Sequence, residues 1–234
     1  YSDSSFGIPA VYLNDWPDRY IHTNHDTPAK IDPTKLKRAG FIAATTGYVL
    51  ANLGAKDAEK IVALWKSAAL RRAATVLESR RTQSAEEAAT ATRFAVDYER
   101  RLLDSMSRFF TIPETVRSDA DAFQQRLETL LGATSRKRGT GIVYQRNARI
   151  KGTMSAFGYD YFVDKYGADR ARDIRLADEY RYEALNLVDG RRTTSEIRDA
   201  LTAIYGPVPL TDVEQYLVAL EAIAVLTRES APHP

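Results

Sequence analysis

Before Asp32 the chain does not follow a helical period, and after it most of the chain does. Phe6, Ile8, Val11, Tyr12 and Leu13 form a short apolar run, rich in β-branched and aromatic types and confined by Gly7 and Pro9. That length and composition predict a buried strand over Ile8–Leu13. Asn14, Asp15, Pro17 and Asp18 are turn formers, so the chain is expected to leave the sheet there and run over the surface. Asp32-Pro33 then reads as an N-cap with proline at the first helical position. One helix is expected from there to Gly54, a natural C′ residue. Ala39, Gly40, Ala43, Ala44 and Gly47 give this helix a face of little bulk, suited to covering the sheet that would contain Ile8–Leu13.

The middle of the chain reads as a helical hairpin. Ile61, Leu64, Trp65 and Ala68 recur at helical spacing in a helix from Asp57 to Arg81, followed by a polar break at Thr82-Gln83. Ser84-Ala85-Glu86-Glu87 is a capping box that opens a third helix through Ala91, Ala95, Tyr98, Leu102 and Met106 to near Phe110. A short connection between long helices implies antiparallel packing. Arg71, Arg72, Arg80, Arg81, Arg93, Arg100 and Arg101 are interspersed with Glu78, Glu86, Glu87, Asp97 and Glu99. Mixed charge of this kind points to a solvated, salt-bridged face rather than a polyanion site. Pro113 breaks the pattern, and Ser118 or Asp119 is the expected cap of a shorter helix that buries Phe123, Leu127, Leu130 and Leu131 and stops at Gly132.

Beyond Gly132, Ser135–Gly141 is basic and contains glycine without phosphate-loop spacing, so it reads as a linker. Thr153–Tyr166 carries Phe157, Tyr159, Tyr161, Phe162 and Tyr166, a density that could line a peptide groove but more simply packs on neighbouring helices. Leu176–Leu187 is expected to be helical, Asp189-Gly190 a turn, and Thr193-Thr194-Ser195-Glu196 a second capping box. Gly206-Pro207 stops that helix, Thr211 caps a last one, and Val225–Thr227 is a candidate short strand. Three short helices with a terminal wing resemble the winged-helix class, and Asp189-Gly190-Arg191-Arg192-Thr193 before a helix looks like small peptide-binding winged-helix modules. The last helix carries Asp212, Glu214 and Glu221 with no Lys or Arg, so a structural or protein-binding role is expected and nucleic-acid binding is not.

Composition narrows the field only slightly. A chain of 234 residues with a net charge of +2 allows one or two domains and no strong pull toward nucleic acid or membrane surfaces. No apolar run approaches a membrane span. With no cysteine there is neither a disulfide framework nor a thiolate metal site.

Chemistry concentrates in the loop after the first apolar run. Two of the three histidines, His22 and His25, lie there, with Asp26 beside them. A neutral imidazole at the carboxyl end of a strand is a suitable zinc ligand, and Asp26 could orient it. Gly7-Ile8-Pro9-Ala10, then Tyr20-Ile21-His22-Thr23, then Asp26-Thr27 and a following helix resemble the end of the catalytic domain in di-zinc aminopeptidases, the family of leucyl aminopeptidases and glutamate carboxypeptidase. The resemblance covers Tyr1 to about Leu53. It implies that His22 is a zinc ligand, with Asp26 behind it, in an enzyme that holds two zinc ions and removes amino-terminal residues from peptides. The family's other ligands and its glutamate base belong to an upstream portion, so the chain is expected to lack catalytic residues of its own. Ser2-Asp3-Ser4 lacks the histidine of the family's Ser-Asp-His, and Ile21 stands where some members have an oxyanion tyrosine.

The fold expected is therefore mainly α. Residues 1–54 would be a strand–helix remnant of an α/β peptidase domain and 55–132 a helical region. Residues 133–175 would form a basic, aromatic-rich connection and 176–234 a winged-helix-like module. The expected partners are the missing amino-terminal catalytic portion, a peptide substrate and, as a possibility, a second copy of the chain. The family resemblance slightly favours a secreted or periplasmic setting. The alternative reading is a non-catalytic helical module for dimerisation or protein binding.

Overall fold

The computed structural model describes residues 3–228 except 9, 15, 134–138 and 157. The molecule is mainly helical, as the periodicity predicts, with two small antiparallel pairs of strands.

Helix α1, Pro33–Asn52, starts where the sequence places it: Asp32 accepts from the amides of Thr34 and Lys35 at 2.8 and 3.3 Å, and Pro33 occupies the first turn. Those two amide bonds hold the Asp32 carboxyl below its ordinary range. Gly54 is not a left-handed terminator. Its backbone is extended, and its amide is taken by Asp57 at the start of the next helical segment. The larger departure lies upstream, because residues 8 and 10–13 form no strand and are exposed. A strand needs a neighbour to complete its hydrogen bonds, and no described segment pairs with this one.

Helices α2, Ala58–Ser79, and α3, Ala85–Met106, form the expected hairpin, α3 opening on the Ser84/Glu87 capping box. Helix α4, Glu114–Leu130, begins directly after Pro113. Ser118 and Asp119 are interior positions, because the chain can enter the helix as soon as proline has fixed its φ. It ends at Leu131 and Gly132, the latter with φ +60°. Ala58, Val62, Trp65, Leu103, Val116 and Ala120 fill one part of the three-helix core, and Ala69, Ala73, Val96, Leu127 and Leu131 another. Trp65 meets Phe123 edge-on at 5.3 Å, and its indole N–H donates to buried Glu99 at 3.0 Å. Arg72 completes that carboxylate with bonds of 2.6 and 2.8 Å.

The mixed charge on these helices does pair. Arg100 meets Glu128 at 2.8 Å within the bundle, while Arg93–Asp199 at 3.2 Å and Arg101–Asp189 at 3.0 Å tie α3 to the remainder of the chain. That remainder has its own core. Strands β1, Tyr144–Arg146, β2, Ser155–Ala156, and β3, Tyr159–Asp160, lead into short helices α5, Tyr161–Tyr166, and α6, Ala168–Arg172. Helices α7, Asp178–Leu187, α8, Thr194–Tyr205, and α9, Leu210–Ala222, follow, and β4, Leu226–Arg228, pairs antiparallel with β1. Ile197, Leu201, Val213, Leu217 and Leu220 are its fully buried centre, with Phe162 and Tyr216 edge-on at 5.5 Å.

Two boundaries shift from expectation. Helix α9 begins at Leu210, after Pro209, so Thr211 lies inside it and its hydroxyl meets Asp212 instead of capping. The linker expected at 135–141 falls largely outside the described residues. Gly139 and Thr140, which are described, lie against the start of α8, with the Thr140 amide donating to Ser195 Oγ at 2.8 Å. The Asp189-Gly190 turn is as expected: Gly190 has φ +72°, and Asp189 accepts from the amides of Arg191 and Arg192.

Candidate metal-ligand loop

The loop between residue 16 and Asp32 is shaped by its own short polar side chains. Asp18 accepts from the amides of Tyr20 and Ile21 at 2.9 and 3.2 Å, closing a turn of the kind aspartate favours. Thr23 returns both its amide and its hydroxyl to the Tyr20 carbonyl, at 3.0 and 2.6 Å, and Asp26 donates its amide to the Thr23 carbonyl at 3.2 Å. Lys30 closes the far side with its ammonium 5.0 Å from the centre of the Tyr20 ring. The Trp16–Pro17 peptide at the loop's start is cis.

His22 sits inside these turns with φ +63°, one of two non-glycine described residues in the left-handed region. Histidine is among the side chains more tolerant of that region, but the conformation still has to be imposed by its surroundings, and such outliers gather at functional positions. Here the Asp18 and Thr23 bonds on either side impose it.

The side chains of His22, His25 and Asp26 are exposed. Among the described residues none of the three takes part in a side-chain hydrogen bond or ion pair, so Asp26 does not orient either imidazole in this structure. An open cleft of about 840 Å³ lies between the loop and the first turns of α1, with Tyr20, Asp26, Lys30 and Arg38 on its walls. His22 is not one of its lining residues.

Zinc takes four protein ligands in a structural site and about three in a catalytic one. No group of three or more His, Asp or Glu able to hold a metal occurs among the described residues. The described donor set therefore does not by itself fit a zinc ion. It offers two imidazoles on an exposed loop, His22 and His25, of which the resemblance assigns only His22 to a metal.

Two features of this region were not legible in the spacing of the sequence. Residues 3–5 dock on β1, α7 and the segment after β1: Asp3 is buried in an ion pair with Arg146 at 3.0 Å, Ser4 donates its amide to Asn186, and Gly152 donates its amide to Ser5 Oγ at 2.9 Å. Burial works against the Asp3 carboxylate, but the Ser5 bonds and Arg146 outweigh it and hold the carboxyl below its ordinary range. The second is α1, which has no buried residue at all. Leu36, Phe41, Ile42 and Tyr48 are 61, 71, 51 and 72 % exposed. The described helices include none long and apolar enough to cross a membrane.

No family model, curated protein or solved structure matches this chain.

Proposed function

We propose that this chain is the carboxyl-terminal portion of a di-zinc aminopeptidase, with His22 as the one metal ligand it contributes and the remaining ligands on a catalytic portion that must join it. The observation that carries the reading is α1. At 100° per residue, Leu36, Gly40, Ala43, Gly47 and Leu50 share one side of it, Phe41 and Tyr48 a second, and Ile42 and Val49 a third. From Ala39 to Asn52 the helix carries no charged residue, and a segment apolar on three sides belongs in an interior, whereas this one has no buried residue. The small-residue side suits close approach to a sheet, and the apolar residues before it supply a strand for that sheet's edge. Both conditions would be met by an α/β catalytic domain whose sheet this segment completes. The left-handed backbone at His22, imposed by the turns of Asp18 and Thr23, holds its imidazole out on the exposed loop, where a joining portion could reach it. The substrate class is peptides with a free amino terminus, and the helical and winged-helix-like parts would be appended to the catalytic domain.

The test is reconstitution. The chain alone is expected to release nothing from aminoacyl-nitroanilides, and activity should appear only with the catalytic portion present. In that mixture His22→Ala should abolish release and His25→Ala should leave most of it. Release by the chain alone, or loss with His25→Ala but not His22→Ala, would overturn the reading.

A second reading draws on the same bare helix. Two copies could bury α1 against each other, making the segment a dimerisation element with no role in catalysis. A concentration-dependent dimer that persists when the catalytic portion is supplied, and that Phe41→Glu dissolves, would favour it.

A further inference from the structure

A second candidate site lies on the other side of the molecule and does not depend on the aminopeptidase reading. Between the β2–β3 hairpin, α5, α7 and α9 is a cavity of about 280 Å³. Met154, Phe162, Leu185 and Tyr216 give it apolar and aromatic walls, and all four are at least nine-tenths buried. Its polar lining includes Thr153, Ser155, Asp160, Asp178 and Arg181, and Tyr182 lines it as well.

The cavity's hydrogen-bonding accounts do not close. Tyr216 is only 2 % exposed, yet its hydroxyl has no hydrogen-bond partner among the described residues. A buried phenol normally finds one. That hydroxyl is not among the fully sealed side-chain atoms left without a partner, so open space reaches it, and the cavity is the space its side chain lines. Asp160 caps α5 with one carboxylate oxygen, accepting from the Val163 amide at 2.9 Å, and its second oxygen has no partner among the described residues. Arg181 bonds to neither group: three of its five N–H go to the carbonyls of Leu176 and Ile174, at 2.6 and 2.8 Å, and to Asp178 at 3.0 Å.

What is missing is a donor with positive charge. Asp178 is paired with Arg181 and its side chain is 91 % exposed, so the charge left facing the cavity is that of Asp160. An ammonium has three donors and no acceptor capacity, so it can serve the free oxygen of Asp160 and the Tyr216 hydroxyl together. The aromatic rings favour a cation over their faces, and the apolar walls take a methylene stem. A carboxylate would meet the like charge of Asp160, and a neutral alcohol would leave that charge uncompensated. Burial raises the Tyr216 phenol well above its ordinary value, with Asp160 adding in the same direction, so the hydroxyl stays protonated and able to bond.

We infer that this cavity binds a primary alkylammonium group, its nitrogen bonded between Asp160 and Tyr216 and its carbon stem between Met154, Phe162 and Leu185. Two sources share this chemistry, a lysine side chain and the free amino terminus of a peptide.

The experiment is a titration followed by the methyl resonances of the chain's two methionines. Met154 lines the cavity, and Met106, packed in the helical core, is the internal control. n-Butylammonium should shift Met154 saturably and leave Met106 in place, while n-butanol and butyrate should bind at least about tenfold more weakly. This comparison needs no variant. Asp160→Asn retains a capping oxygen and removes the charge, and it should weaken butylammonium about tenfold or more. Tyr216→Phe should weaken it about threefold to tenfold, in line with one lost hydrogen bond. Nα-acetyl-lysine amide and leucinamide separate the sources, and binding by either supports the inference. Equal binding of butanol or butyrate, no saturable Met154 shift, or indifference to both substitutions would overturn it.

Discussion

Glu99 offers the sharpest test of the helical core. It is 3 % exposed and accepts three bonds, from the Trp65 indole at 3.0 Å and from Arg72 Nε and a terminal nitrogen at 2.6 and 2.8 Å. Glu99→Ala removes all three acceptors. The Arg72 side chain is 41 % exposed and can return to water, so its share of the loss is small. Trp65 is only 5 % exposed, and its stranded N–H costs roughly 1–3 kcal/mol. Loss of the buried side-chain carbons adds about 1 kcal/mol, and relief of a desolvated carboxylate returns part of it. The net expectation is about 1–3 kcal/mol. Glu99→Gln keeps an acceptor for the indole and should cost about half as much. Urea unfolding followed by Trp65 fluorescence, in a Trp16→Phe background, measures both. A Glu99→Ala variant within about 0.5 kcal/mol of its parent, or a Gln variant less stable than the Ala variant, would refute the reasoning.

Asp3 gives a pH signature with a definite sign. Its folded carboxyl lies below the reference value of 3.8, so its contribution to stability is present above that value and is lost as pH falls through the lower, folded one. Unfolding midpoints of the parent chain and Asp3→Asn should differ near neutral pH and converge in strong acid; a gap unchanged by acid would count against the ion pair with Arg146. In a dilute monomer, amides at 10–13 and through α1 should exchange rapidly, since neither segment is covered. Adding the catalytic portion should protect both, and slow exchange in a verified monomer would mean the chain covers them itself.

What the sequence made legible was local. Caps at Asp32, Ser84 and Thr193 and the glycine at 190 act over three or four residues, so their geometry follows directly from their identity. Helix periodicity located α2, α3 and α8 for the same reason. Ser118 and Thr211 were misassigned because proline can start a helix without a capping side chain, and Pro113 and Pro209 do so. The strand at Ile8–Leu13 was read from side-chain type, but a strand exists only through its neighbour, which is a non-local fact. The Asp3–Arg146 pair joins residues 143 apart in sequence, and the free hydroxyl of Tyr216 becomes visible only when β2, α5, α7 and α9 close around it. At the candidate loop the resemblance to the family's His-Thr-x-x-Asp-Thr pattern singled out His22, while its left-handed backbone had no sequence signal beyond the flanking turn formers.

Zinc stoichiometry tests the proposed role of this chain most directly. By elemental analysis after dialysis, the chain alone should retain essentially no zinc, because its described residues bring no three metal ligands together. Its complex with the catalytic portion should hold two ions, and His22→Ala should lower that number while His25→Ala leaves it unchanged. Tight zinc in the isolated chain, or a complex whose zinc content is indifferent to His22→Ala, would contradict the assignment.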